Sequence, residues 1–210
     1  MYRRLRFLID RILSGLKNDL GTFRSYIKVA RASAIARRYF VMNAFDGALT
    51  ILGVIVGAFM AKEVDPRVII GAGVGASLAM GVSGAWGAYM AERAERRRSL
   101  KDLENQMFRN LEGSILDKAS RAAAIWIALV DGLSPALAAA IPLIPFAMVL
   151  AHIIPVETGL VASLTLNLFT LFTLGVFLGK VSHENVWIHG LLMTGAGILT
   201  ALLLLALLGR

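Results

Sequence analysis

The sequence contains no cysteine, only three histidines and few charged residues. Without cysteine, the 210-residue chain has no disulfide, no cysteine-ligated zinc or iron–sulfur cluster and no thiol nucleophile. Asp, Glu, Lys and Arg make up 17% of the residues, against roughly a quarter in soluble domains. Hydrophobic residues reach 57%, and the mean hydropathy is +0.69. These values indicate an integral membrane protein, with room for about five or six spans.

No catalytic constellation is present either. The sequence has no nucleophile elbow, no zincin histidine pair and no phosphate loop, and its three histidines are scattered without ligand spacing. A glycine pattern at 71–76 fits the dinucleotide fingerprint, but no strand or soluble crossover surrounds it. We therefore expect no enzyme activity and no resident cofactor.

The positive charge is concentrated at the N-terminus. Residues 1–38 hold ten of the 22 Lys and Arg but only two acids, so this segment carries the whole net charge of +8. Apolar residues recur there at helical spacing between the basic ones: Leu5, Leu8, Ile9, Ile12 and Leu16. The pattern predicts a basic amphipathic helix that lies on anionic lipid headgroups. The charge thus points to a bilayer, and we expect no nucleic-acid partner.

Five apolar runs follow, each long enough to cross a bilayer as a helix. The third run reaches residue 154, but its prolines predict that the crossing ends near Pro142–Pro145 and that an interfacial turn follows at 152–157. The sequence therefore predicts an all-α membrane protein with five transmembrane helices. Its predicted parts are interfacial helices (1–38), two spans (39–91), a charged cytosolic helical segment divided at Gly113 (92–121) and three spans (122–210).

The orientation follows from the distribution of Lys and Arg. With the N-terminus in the cytosol, 19 of the 22 basic residues lie on the cytosolic side. The other three, Lys62, Arg67 and Arg210, lie outside. The asymmetry predicts an N-in, C-out topology.

Two aspartates lie inside predicted spans. Asp46 in the first span and Asp131 in the third have similar depths, and their surroundings, 45–50 and 130–135, resemble each other. A charged side chain at a helix centre costs roughly 2.5–3.5 kcal/mol on insertion scales. Two interpretations stay open: the pair forms an ion or proton pathway, or each carboxylate accepts hydrogen bonds and stabilises packing. Asn43 and Met80, which offer an amide and a soft thioether, are the other pathway candidates.

Small residues repeat along the first two spans. One track on the second span has a small residue every four positions, Gly71 and Gly75 form a second track, and the first span has Gly53 and Gly57. Such spacing lets helix backbones approach closely. The tracks predict either tight packing within one chain or the seam of a homodimer. The first track is Gly73, Ser77, Gly81 and Ala85.

The charged segment should extend the second span as a helix into the cytosol. Glu92, Glu95, Asp102 and, if the helix continues, Asp117 fall in one sector of about 80°. This acidic stripe, with Glu92 and Glu95 in water, predicts a site for divalent cations. The alternative is a solvated stripe that forms salt bridges with the interleaved arginines.

Three segments resemble the vacuolar iron transporter family. They are the Asp-Gly motif with a following Leu-Thr at 45–50, the glycine-rich stretch 84–91 that leads to Glu95, and the Ile-Pro-Leu-x-Pro-aromatic signature at 141–146. The resemblance covers residues 39 to about 200. It implies a homodimeric five-helix exporter that moves Fe²⁺ or Mn²⁺ out of the cytosol against protons.

The resemblance assigns roles to individual residues. Asp46 matches the pathway aspartate and Glu95 the cytosolic glutamate, whereas the pathway methionine of the family aligns nearest Gly84, one turn after Met80. Three features depart from the family: Ala76 replaces an acidic residue, Asp131 is an additional charge, and the cytosolic segment has only about 30 residues.

The leading hypothesis is therefore a divalent-metal transporter, with Asp46, Asp131, Met80 and Asn43 in the pathway. Its metal ligands are Asp46, Met80, Glu92 and Glu95. The alternative is a non-transporting membrane scaffold or partner-binding protein with the same fold, and a lipid-handling enzyme is disfavoured. The protein is expected in the cell membrane of a prokaryote or in a vacuolar-type membrane of a eukaryote.

Overall fold

The computed structural model describes residues 21–62 and 64–208, and the regular elements of these residues are all helices. Five helices are long and apolar enough to span a membrane, which confirms the five predicted spans. A further helical segment, 21–29, precedes them. The predicted amphipathic helix lies mostly outside the described residues, and the N-in, C-out topology stays a prediction. The five helices are α1 (Ala32–Met60), α2 (Pro66–Met107), α3 (Ile115–Leu150), α4 (Val156–Ser182) and α5 (Val186–Leu208).

The charged segment is helical up to Met107, and the helix is interrupted over 108–114, a stretch that contains Gly113. Helix α2 continues to Met107, and Gly113 adopts a φ of +73° in the connection to α3. Ser114 Oγ accepts the N–H of Asp117 at 3.3 Å, while Asp117 Oδ2 accepts the N–H of Gly113 at 3.0 Å. These two bonds form a cap that starts α3. Asp117 therefore belongs to α3 and does not extend the acidic stripe of α2.

The prediction that the third crossing helix ends near Pro142–Pro145 was wrong. Helix α3 passes through both prolines and ends at Leu150, and the turn follows at 151–155. A proline removes one backbone hydrogen bond, but neighbouring helices compensate for such losses inside membranes. The carbonyls that lose a helical donor to Pro142 and Pro145 are those of Ala138 and Ile141. The Ser163 hydroxyl of α4 donates to a neighbouring carbonyl, that of Pro142. The contact ties α4 to α3 at the proline-containing turn.

The chain divides into two compact units. In its described part, the first unit comprises 21–37 and 87–129, and the second comprises 38–86 and 130–208. Within the first unit, the ring of Phe23 packs edge-on against Trp126 with centroids 6.3 Å apart. Arg96 of α2 donates to the carbonyl of Ala30 at 3.4 Å. The segment before α1 is thus attached to both long helices of its own unit.

The second unit is a helical bundle with an apolar interior. One core cluster joins α1, α2 and α3, and another joins α1, α3 and α4. A methyl group at Gly47 would lie 2.6 Å from the Cα and carbonyl oxygen of Pro135, so the glycine allows α1 and α3 to touch. Helix α5 packs on α4 and leaves most of its leucines exposed, which suits a lipid-facing position. The two clusters contain Ile51, Ile55, Ile69, Ala139, Leu143 and Phe146, and Ala44, Ala48, Ala138, Leu171 and Leu174.

Candidate functional site

A buried carboxylate lies in the second unit. Asp131 of α3 is only 3% exposed, and its Oδ1 accepts a hydrogen bond from Nδ2 of Asn43 on α1. The same amide nitrogen donates to the carbonyl of Tyr39 at 3.2 Å. Asn43 is thereby oriented with its nitrogen toward Asp131, and the pairing supplies part of the solvation that Asp131 loses on burial.

Glycines of α2 make room for Asp131. A methyl group at Gly84 would lie 3.0 Å from Oδ2 of Asp131, and one at Gly81 would lie 2.6 Å from the carbonyl oxygen of Gly132. Helices α2 and α3 therefore touch through backbone at Gly81 and Gly132, next to the carboxylate. Pro135 has no N–H to donate to the carbonyl of Asp131. This leaves an additional oxygen acceptor beside the side chain.

Asp46 has different surroundings. It lies one turn after Asn43 on α1, but its side chain is exposed on the outer face of the chain. It is within electrostatic reach of Asp131. Thr50, one turn further along, donates its hydroxyl to Sδ of Met80 at 3.5 Å. The structure thus brings all four predicted pathway residues to neighbouring parts of α1, α2 and α3, with Asp131 facing inward and Asp46 facing outward.

Glu92 and Glu95, which the sequence predicts to lie in the cytosol, belong to the first unit. Glu92 accepts a hydrogen bond from Nε of Arg96 at 3.1 Å, and its side chain is 12% exposed, so the expectation that it lies in water was wrong. Glu95 is exposed. Among the described residues, no group of three or more His, Asp or Glu is arranged to hold a metal ion. The assignment of Glu92 and Glu95 as metal ligands therefore stays a prediction.

This difference between the glutamates makes their roles separable. Glu95→Gln should lower the apparent affinity for Mn²⁺ in transport by roughly tenfold or more if Glu95 is a ligand, with no change in Tm because the side chain is exposed. Glu92→Gln should lower both the apparent affinity for Mn²⁺ and the Tm, since it also breaks the pair with Arg96. Transport titrations and thermal unfolding of both variants measure the two effects. If the dependence of transport on Mn²⁺ concentration is unchanged in both variants, the acidic stripe forms salt bridges and does not bind metal.

The small-residue tracks of α2 have separate uses. On the first track, Gly73 packs against Ile51 and Leu143, and Ser77 is buried. Gly71 and Gly75 of the second track have open space where a side chain would be. The second track continues in the same register, and all four of its residues in this unit are exposed: Gly71, Gly75, Ala79 and Ser83. The first track is thus packing within the chain, and the second remains available to a partner.

Sequence reasoning missed three polar residues of the bundle. Thr50 contacts Met80, Ser163 contacts Pro142, and Asn167 of α4 is fully buried. Asn167 donates Nδ2 to the carbonyl of Ala48 at 3.0 Å, while its Oδ1 is buried without a hydrogen-bond partner. An asparagine within an apolar span is itself a signal of an interior or functional position. That signal would have identified Asn167.

Five apolar helices, with a buried carboxylate and a second carboxylate exposed on a spanning helix, define a polytopic integral membrane protein. The VIT family model matches the chain over residues 37–111 and 98–209. The chain belongs to the VIT family, whose members are membrane transporters and not enzymes. The resemblance to the vacuolar iron transporters is thereby confirmed.

An archaeal protein is similar to most of the chain. The uncharacterized protein MJ0645 of Methanocaldococcus jannaschii is 35% identical over 169 residues, which cover 79% of this chain and 85% of the relative. No solved structure matches the chain significantly. The relative is itself uncharacterized and names no substrate.

Proposed function

We propose that the protein is a homodimeric divalent-metal transporter that exports Fe²⁺ or Mn²⁺ from the cytosol in exchange for protons. The observation that carries this proposal is the position of Asp46, an exposed carboxylate on a membrane-spanning helix. Membership of the VIT family supports transport of metal ions across a membrane.

Asp46 requires a polar environment that lipid does not offer. An aspartate that faces hydrocarbon costs roughly 2.5–3.5 kcal/mol on insertion scales. A second copy of the chain would cover it, because the second small-residue track of α2 is exposed in the same unit and permits close helix approach. Around a two-fold axis each residue near the axis faces its own copy. Two Asp46 carboxylates would then line one shared pathway.

The available ligands suit a borderline transition metal. Asp46 offers carboxylate oxygens, Asn43 a side-chain carbonyl and Met80 a thioether, and Asp131 lies behind them. Carboxylates and carbonyls alone suit Mg²⁺, Ca²⁺ and Mn²⁺, whereas a thioether adds a soft ligand. A carboxylate that binds a cation when ionised and holds a proton when the metal leaves provides the alternation that proton exchange requires.

The rest of the chain is assigned accordingly. The basic N-terminal helix would lie on anionic headgroups at the cytosolic surface, with N-in, C-out topology. Glu95, with Glu92, would collect metal ions in the cytosol. The membrane is the cell membrane in a prokaryote and a vacuolar-type membrane in a eukaryote. A non-transporting scaffold is not favoured, because the family consists of transporters.

Metal uptake by proteoliposomes tests the proposal. Vesicles that contain the purified protein should accumulate Mn²⁺ and Fe²⁺, and an acidic interior should accelerate uptake. Protein-free vesicles and vesicles treated with a protonophore are the controls. If the vesicles take up neither metal, the transport proposal is refuted. If the rate of uptake does not depend on the pH gradient, only proton exchange is refuted.

A further inference from the structure

The first unit contains a cavity of about 480 Å³ that the transport proposal does not use. One wall is the charged part of α2, and the other is the start of α3. Tyr89, Leu100, Ala124 and Ile125 provide an apolar part of its lining. A volume of this size lies within the range of small-molecule pockets.

Three basic residues line the cavity in one row along α2. Arg93, Arg97 and Lys101 are spaced i, i+4 and i+8, and all three are exposed. Within the part of the chain that the structure describes, none of them forms an ion pair; Arg93 stacks over the ring of Tyr89 at 5.9 Å. Like charges at this spacing destabilise a helix. An anion bound among them would remove the repulsion.

Two of the acids that line the cavity are engaged with other groups. Asp117 accepts hydrogen bonds from Nε and Nη2 of Arg121, at 3.0 and 2.9 Å. Glu104 accepts the backbone N–H of Leu111 at 2.7 Å. Glu112 is the third acid of the lining, which therefore has three acidic side chains against five basic ones, the other two being Arg96 and Arg121. The cavity therefore keeps a positive surplus.

We propose that this cavity binds the phosphate-bearing headgroup of an anionic phospholipid. Arginine recognises phosphate through charge-assisted, often bidentate hydrogen bonds. The row begins two residues after the last residue of the apolar run, Ala91, which places Arg93 at the predicted depth of the headgroups. Tyr89 is of the type enriched at that interface. The apolar lining favours a lipid over free phosphate, because only a lipid supplies apolar atoms to cover it.

Native mass spectrometry of the full-length protein in detergent tests this site, independently of transport. The probe is short-chain phosphatidylglycerol, with short-chain phosphatidylcholine and inorganic phosphate as separate arms. Neutralising the row (Arg93→Gln, Arg97→Gln and Lys101→Gln together) should weaken phosphatidylglycerol binding roughly 100-fold, since each juxtamembrane cation contributes about a factor of five. Arg97→Gln alone should weaken it about fivefold, which keeps the test valid if the triple variant folds poorly.

The matched control removes three charges from the same unit outside the cavity. Lys28→Gln, Arg98→Gln and Lys118→Gln together change exposed residues that do not line it. This control should bind phosphatidylglycerol as the native protein does. Equal loss in both triple variants would overturn the site, as would equal binding of phosphatidylcholine. Equal binding of inorganic phosphate would overturn the lipid assignment.

Discussion

Replacing Asp46 by Asn is expected to abolish metal transport while the protein still inserts and assembles. Asn has nearly the same shape and hydrogen-bonding reach, but it cannot alternate between a bound cation and a bound proton. Groups that only support a metal ligand are worth 10–100-fold, so loss of the ligand itself should reduce the rate to roughly 1% or less. A neutral side chain costs less in the membrane, so stability should be equal or higher. Uptake by proteoliposomes and thermal unfolding measure the two quantities.

Asp131→Asn is the matched control for this result. An Asn at 131 still offers a carbonyl oxygen to Nδ2 of Asn43, so the contact between α1 and α3 persists. Because Asp131 faces the interior of the chain, we expect a smaller loss of transport than for Asp46→Asn. An equal loss would mean that the two carboxylates act as one site.

If Asp46→Asn transports metal at the original rate, the pathway through Asp46 is wrong. The exposed carboxylate then needs another explanation, and a scaffold that retains the fold becomes the better hypothesis. Normal insertion of the variant is required for this conclusion, and size-exclusion chromatography establishes it.

The second large effect concerns the two tracks of α2. Gly75→Leu should dissociate the proposed dimer, because Gly75 has open space beside it within the chain and the added side chain would separate the two copies. Overpacking a close contact costs typically 1–3 kcal/mol, which corresponds to a dimer roughly 5- to 150-fold weaker. The Tm of the isolated chain should not fall. Crosslinking yield and mass in detergent measure the association.

Gly81→Leu should behave in the opposite way. Its first added carbon would lie 2.6 Å from the carbonyl oxygen of Gly132, so α2 and α3 would have to separate. We expect a lower Tm and poor expression whatever the oligomeric state. If Gly75→Leu leaves the crosslinking yield and mass unchanged, the seam lies elsewhere and Asp46 is covered by another surface.

The elements along the chain follow from local physics, and the sequence determined most of them. Apolar runs of sufficient length predict the spans, and Gly113, whose positive φ suits glycine, predicts a break between α2 and α3. The end of α3 was mispredicted because proline usually ends a helix in water, whereas inside a membrane the remaining backbone groups are satisfied only if the helix continues. Ser163 comes from a different span, and its contact with Pro142 is visible only once α3 and α4 are packed together.

The direction in which each polar residue faces was decided by tertiary structure alone. The sequence predicted Asp46 and Asp131 as a pair at similar depth, and helical periodicity states which residues share a face. It does not state which face meets another helix, because that depends on contacts between residues distant in sequence. The pairing of Asn43 with Asp131, 88 positions apart, turned one carboxylate inward, while Asp46 remained exposed. The same long-range packing buried the first small-residue track of α2 within the chain and left the second track exposed.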